Sequence, residues 1–313
     1  MPALDYHVVD VFTDAPLAGN PLAVVMNTCN LATEVMQAIA REFNLSETTF
    51  IERRDPAIER AEGVRVRIFT AQEELNFAGH PTLGTAAVLK TTAPGTVHDS
   101  TVTLALNVGA VAVRFEGDGL RGAMTQRDPE FGAELDPAQV ARLSGLLLDD
   151  LDPALPPRVV STGTAFAVVV LRSAQALAGL RVDQDAATPY LRERGARWFY
   201  VLAPGPGQDR IGGWRARMQF YGGEDPATGS AAGCAIAYLV ERGVVSSGTQ
   251  IHLRQGVEIG RPSDLYLSAR QVDARITDVR VGGSTVPVAN GRIFLPDTHA
   301  FNNAFNKPSP APC

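Results

Sequence analysis

Two stretches of this sequence place a titratable side chain beside glycines at what reads as the start of a helix. Residues 76–84 read NFAGHPTLG, with His80 directly after Gly79. Residues 222–233 read GGEDPATGSAAG, with Asp225 shortly before Gly229 and Ser230. Glycine lets a ligand approach the backbone closely. A helix start offers unpaired N–H groups and a partial positive charge, which together suit an anion. A phosphate loop would need a Lys after its second glycine, and Thr85 stands there instead. A carboxylate therefore fits better than a triphosphate. The plain alternative is that Gly79 and Gly84 only shape a turn into a packed helix.

His80 can exchange hydrogen bonds with a substrate near neutral pH, or it can simply cap the turn. Asp225 precedes Pro226, and an Asp-Pro pair is commonly turn punctuation. Pairing favours chemistry: the same architecture occurs twice, each time with one titratable residue at its mouth. Thr228 or Ser230 is expected to cap the second helix. A third candidate is Glu47 in NLSETTF (44–50), where a turn enters a strand. The ordinary fate of such a Glu is a solvated loop. Turned into a cleft, it would have its pKa raised by burial and would shuttle protons near neutrality. In RQGVEIGRPSDL (254–265) the glycines and Pro262 shape a hairpin, and Arg261 either reaches an acidic group or is a surface charge.

These residues need elements to hold them. YHVVDVF (6–12), LAVVMN (22–27) and VRVRIFT (64–70) read as strands, ATEVMQAIAREFN (32–44) as an amphipathic helix, PTLGTAAVLK (81–90) as a small-residue helix and 101–117 as a hairpin. The pattern recurs in the second half. GWRARMQF (213–220) is a strand, a glycine loop follows, SAAGCAIAYLVERG (230–243) is a second small-residue helix, and strands come after it. Gly84 to Val102 is the same offset as Gly233 to Ile251. A helix of Ala, Gly and Thr lets surrounding strands come close. The expected fold class is α+β, with two pseudo-symmetric lobes, each a curved, mostly antiparallel sheet or barrel wrapped around a central helix. The lobes are expected over 1–125 and 126–290, with a strand near 291–296 returning to the first. Residues 300–313 are expected to form a flexible tail.

Bulk properties narrow the partners. The chain has 313 residues, 45% hydrophobic and 20% charged, with a formal net charge of −6. Such an acidic chain is a poor match for nucleic acid or an anionic membrane. The three cysteines, Cys29, Cys234 and Cys313, show no C-x-x-C spacing and are odd in number, which argues against a disulfide framework and structural zinc. No signal peptide and no long apolar run is evident, so the expected setting is the cytoplasm.

Read together, NLSETTF around Glu47, FAGHPTLG at 77–84, EDPATGSA at 224–231 and QG followed by GRPS at 255–263 resemble the phenazine-biosynthesis PhzF family, on the diaminopimelate epimerase fold. The opening DVFTDAPLAGNPLAVV has the same look, so the resemblance spans nearly the whole chain. It implies an isomerase that needs no metal or organic cofactor, acts on a small carboxylate substrate by an acid/base proton shift, and works as a homodimer. The reaction it points to is isomerisation of trans-2,3-dihydro-3-hydroxyanthranilate. It further implies that Glu47 moves the proton, that His80 and Asp225 support it and contact the substrate, and that backbone N–H groups at Gly79, Gly229 and Ser230 hold the substrate carboxylate. Related epimerases carry a cysteine at each helix mouth. Here Cys234 lies within the second helix and none lies near His80, which disfavours two-thiol racemisation. A non-catalytic small-molecule binder of this fold and an epimerase of amino-acid-like substrates stay as alternatives.

Overall fold

Alternating apolar and polar residues put VRVRIF and TVTLAL into strands with one face in the core. They form Val64–Phe69 and Thr101–Leu106, with Val66, Ile68, Val102 and Leu104 buried. AFAVVV and WFYVLAP are instead apolar almost throughout. They form Ala165–Val170 and Trp198–Pro204, a parallel pair buried on both faces. The computed structural model describes residues 2–205, 213–220 and 223–295. The tail expected over 300–313 lies outside them, as do Tyr221 and Gly222 of the second glycine loop.

Two central helices organise the chain, Gly79–Thr92 and Gly229–Glu241. The first starts two residues before the expected position and the second one residue before, so both glycines are helical. Residues 79–89 and 229–240 are buried on every side. Their small side chains make this possible. A Cβ on Gly84 would lie 2.7 Å from both Leu22 Cδ2 and Val11 Cγ2, so only glycine lets the helix sit against those strands. One continuous apolar core encloses both helices. Outer helices cover the far faces of the sheet: Thr33–Phe43 through Met36, Ile39 and Ala40 in the first lobe, and Pro137–Ser144 and Gln184–Glu193 in the second.

The internal repeat is visible in strand direction. In the first lobe Asn20–Val25 pairs in parallel with Glu47–Glu52, and Val64–Phe69 pairs in parallel with Thr101–Leu106 across the central helix. In the second lobe Ala165–Val170 pairs in parallel with Trp198–Pro204, and Trp214–Arg217 with Ile251–Gln255 across its central helix. Leu104 and Leu253 stand at the same offset from Gly84 and Gly233, and each is a register partner in its parallel pair. The remaining strand pairs among the described residues are antiparallel.

The sheet passes between the lobes where Gly122–Thr125 pairs with Arg275–Gly283. The last described strand runs over Thr285–Phe294, starting earlier than the expected 291–296, and pairs with Ala3–Val11. Among the elements that escape the sequence reading are the helix Pro56–Glu62, capped by Asp55 Oδ1 accepting from Ala57 N at 2.8 Å, and the short strands Gly122–Thr125 and Glu130–Glu134. The expected strand 213–220 breaks at Met218.

The GRPS hairpin has a fixed task. Arg261 is no surface charge: its Nη2 donates to buried Asp10 Oδ1 at 2.6 Å and its Nε to Gly19 O at 3.0 Å. Gly19 N in turn donates to Pro262 O at 2.9 Å. The second lobe thus grips the turn that leads into Asn20. Among the described residues no helix is long and apolar enough to cross a membrane.

Candidate active site

Local structure delivers three polar side chains to one place. Asn44 takes a left-handed conformation, φ 49°, which ends the helix Thr33–Phe43 and sends the chain into the strand Glu47–Glu52. Glu47 is therefore a strand's first residue. Leu22 is its register partner, so Asn20 stands at the same end of the neighbouring strand. His80 comes from the first turn of the central helix. Asp225 comes from the loop before the second central helix. That loop is anchored at Glu224, whose carboxylate accepts two bonds, of 2.9 and 2.6 Å, from the buried Arg217 guanidinium.

Asn20 joins the two mouths. Its amide nitrogen donates to Asp225 Oδ1 at 2.8 Å and to Ala227 O at 2.9 Å, and it lies 3.2 Å from His80 Nδ1. An amide nitrogen has two hydrogens and no acceptor, so a proton on Nδ1 would have nothing there to receive it, and the imidazole proton belongs on Nε2. Nε2 faces Glu47 Oε2 at 3.4 Å without a hydrogen bond, and neither atom has another partner among the described residues. Asp225 Oδ2 accepts from Thr228 Oγ1 at 2.7 Å. Gln255 completes the frame: Nε2 donates to Asp225 O at 2.8 Å, while Oε1 accepts from Tyr200 OH at 2.9 Å and Thr228 N at 3.2 Å. Thr228 occupies the cap position yet makes no side-chain cap, because its hydroxyl is spent on Asp225. Ser230 lies inside the helix. The expected capping by either residue is thus corrected.

The two helix starts abut. A Cβ on Gly79 would lie 2.9 Å from Gly229 Cα and from Ser230 N. Beside this contact opens a cavity of 330 Å³. Glu47, Asp225, Thr228 and Ser230 line it, together with the rings of Phe77, Phe166, Trp198 and Phe220 and the side chains of Arg127 and Arg197. Gly79, His80 and Gly229 are not on its wall. His80 stands behind Glu47.

Burial sets the charges. The Glu47 side chain is 16% exposed and that of His80 is 4% exposed. Burial first, then the neighbouring Asp225 charge, push the Glu47 carboxyl up to about 8, against a downward pull from Arg197. Burial lowers His80 to about 3, so its imidazole is neutral. Asp225 is raised by burial to about 6, with bonds from Thr228 and Asn20 restraining the rise. Cys234 is fully buried, 3.6 Å from Thr162 Oγ1 and Thr164 O, and burial raises its thiol to about 11. Such a thiol is a poor proton acceptor. Among the described residues no cluster of three or more His, Cys, Asp or Glu side chains is placed to hold a metal.

Sequence reasoning named Glu47, His80 and Asp225, and the fold gathers all three. It missed Asn20 and Gln255, although both sit inside the quoted motifs as GNP and QG. It also missed Arg127 and Arg197, which carry no local signal at all.

The profile described as phenazine biosynthesis-like protein matches residues 9–291. A trans-2,3-dihydro-3-hydroxyanthranilate isomerase from Pseudomonas aeruginosa is 36% identical over 297 residues, covering 93% of this chain and 99% of its own length. The structure of a predicted epimerase from Pseudomonas aeruginosa superposes with a TM-score of 0.79 at 36% identity, covering 94% of this chain and all of the other. A hydroxyproline epimerase from Agrobacterium vitis, with trans-4-hydroxy-L-proline bound, shares the fold alone, with a TM-score of 0.63 at 12% identity over 95% of this chain and 94% of its own. The chain belongs to the phenazine biosynthesis-like PhzF family and is an isomerase.

Proposed function

We propose that this isomerase moves a proton between two carbons on one face of a small carboxylate substrate, with Glu47 as the only acid/base and no cofactor. The observation that carries this reading is the placement of Glu47. Its carboxyl lies on the cavity wall, largely buried, with a neutral imidazole N–H aimed at it from behind. A carboxyl with a pKa of about 8 is roughly one-tenth ionised at pH 7, so both forms are available.

The ionised form takes a proton from a carbon next to a double bond. The electron pair left behind moves through the conjugated system, and the protonated carboxyl returns the proton at its far end. One group serving both steps acts on one face, which suits a double-bond shift and not an inversion. His80 is a positioning residue whose Nε2–H faces the carboxyl from behind, while burial and then the charge of Asp225 oppose ionisation and hold the Glu47 pKa near working pH. Of the expected carboxylate seat, Ser230 at the start of the second central helix lies on the cavity wall and takes the substrate carboxylate, while Gly79 and Gly229 stand behind it and let the two helix starts abut. The same reading takes the working protein as a cytoplasmic homodimer whose lobes divide near residue 126.

The substrate named for the Pseudomonas aeruginosa relative is the first to assay. In deuterated solvent the wild type should shift the double bond with label uptake. Glu47→Gln should lower turnover by at least about 10³-fold with substrate binding changed by less than about threefold. Full activity in that variant ends the mechanism. Label uptake with loss of chirality and no bond shift would make the protein an epimerase.

A further inference from the structure

The cavity wall carries more than the acid/base. The aromatic residues Phe166, Trp198 and Phe220 line it, and so do two arginines, Arg127 and Arg197. Arg127 stands two residues past Gly122–Thr125, the strand that joins the two lobes. Arg197 precedes Trp198, and its guanidinium lies 4.3 Å from that ring's centroid. The chain carries a net charge of −6, yet this cavity concentrates positive charge. Of its two acids, Glu47 is mostly protonated near neutrality, which leaves two fixed cations against Asp225.

Neither guanidinium is used up. Each has five N–H donors in a planar fork. Arg127 gives one bond, from Nη2 to Val108 O at 2.9 Å. Arg197 gives one, from Nη2 to Glu73 Oε1 at 2.5 Å, in an ion pair whose side chains are 39% and 52% exposed. Exposed pairs of this kind are worth little and exchange partners readily. Glu73 belongs to the first lobe, so Arg197 is held across the cleft mouth by a partner that an incoming anion can replace.

We propose that Arg127 and Arg197 form a second anion subsite, so that the natural substrate is a small dianion: one carboxylate at the helix starts beside Glu47, and a second oxyanion between the two arginines. This rests on the proposed seat for the first carboxylate. Phe77, Phe166, Trp198 and Phe220 on the same cavity wall suit a flat ring or conjugated chain as the linking scaffold. The fork of each guanidinium matches a carboxylate or phosphate oxyanion in two-point contact.

Calorimetric titration of the intact protein with benzoate, phthalate, isophthalate, terephthalate and 3-phosphonobenzoate tests it. At least one of the four dianions should bind about tenfold or more tightly than benzoate, with the advantage shrinking as salt is raised. Carboxylate and phosphonate arms tell which oxyanion is preferred. Arg127→Gln and Arg197→Gln should each cost the dianion several-fold more than they cost benzoate, and Arg197→Lys should restore part of the loss. If no dianion outbinds benzoate, or if the preference survives both Gln substitutions, the subsite does not exist. Failure here with Glu47→Gln still inactive would overturn only the subsite. Retained activity of Glu47→Gln with an intact preference would overturn only the acid/base assignment.

Discussion

The two central helices occupy matched places in matched lobes, yet their mouths do different work. Both begin with glycine, both are buried on all sides, and both are bracketed by a parallel strand pair. At the first mouth a neutral imidazole backs a carboxyl that comes from a neighbouring strand. At the second, an aspartate is tied down by Thr228, Asn20 and Gln255 and has no proton donor to spare for chemistry. Duplication of the scaffold thus coexists with unequal mouths: in the proposed mechanism one handles the proton, and the other sets the field in which it moves. The same fold with an equal reactive group at each mouth would address both faces of a carbon, whereas the proposed single acid/base serves one.

The largest expected effect concerns that field. The folded pKa of Glu47, about 8, exceeds its ordinary 4.5, so the folded state holds its proton more tightly than the unfolded state. Its contribution is intact below pH 4.5 and is lost as pH rises towards 8 and beyond. Glu47→Gln removes the loss. Urea unfolding should find the variant about 2–4 kcal/mol more stable than wild type at pH 9 and about equal at pH 4.5. A constant difference across that range would place Glu47 in a solvated, unperturbed site. His80 acts with the opposite sign, since its folded pKa is lowered from 6.5 to about 3 and its penalty grows as pH falls through that window.

A middle-sized effect measures how unequal the abutting glycines are. A Cβ on Gly79 meets backbone at 2.9 Å, whereas one on Gly229 meets Phe12 Cζ at 3.2 Å and Gly79 Cα at 3.3 Å. Gly79→Ala should therefore cost about 2–3 kcal/mol in urea unfolding and Gly229→Ala about 1 kcal/mol. The reverse order would mean that the helix starts do not touch as described. The smallest effect concerns the bridge. Asn20→Ala leaves His80 and Asp225 without their common donor, and kcat should fall about tenfold with KM nearly unchanged. An equal rise in KM with no change in kcat would make Asn20 a substrate ligand instead.

What the sequence reveals depends on the range of the signal. Two small-residue helices, their glycines and the strand spacing after them are local patterns, and they suffice for a two-lobed fold. Glu47 is legible because its motif is. Asn20 is not, because Asn before Pro in a turn-rich run reads as punctuation, and its partners lie 60 and 205 residues away. Gln255 is hidden in the same way, with partners 27, 30 and 55 residues away. Thr228 shows the converse error: local rules assign it to a helix cap, and a buried carboxylate three residues upstream claims its hydroxyl. The strands Gly122–Thr125 and Glu130–Glu134 are short and half-exposed, so neither alternation nor an apolar run marks them. Asp55-Pro56 carries a helix-start signal for Pro56–Glu62, local and legible, but the helix is too short to show an apolar period.

The pairing of Thr285–Phe294 with Ala3–Val11 also orders events during synthesis. Ala3–Val11 pairs early with Asn20–Val25 but gets its second neighbour only after Thr285–Phe294 has left the ribosome. Until then the edge of the first lobe stays bare, and the Arg261 grip on the turn before Asn20 has not yet been made. The nascent first half therefore emerges with Glu47 and His80 in hand but without Asp225, Gln255 or a closed sheet. The proposed site closes only when Asp225, Gln255 and the strand Thr285–Phe294 have docked onto the first lobe.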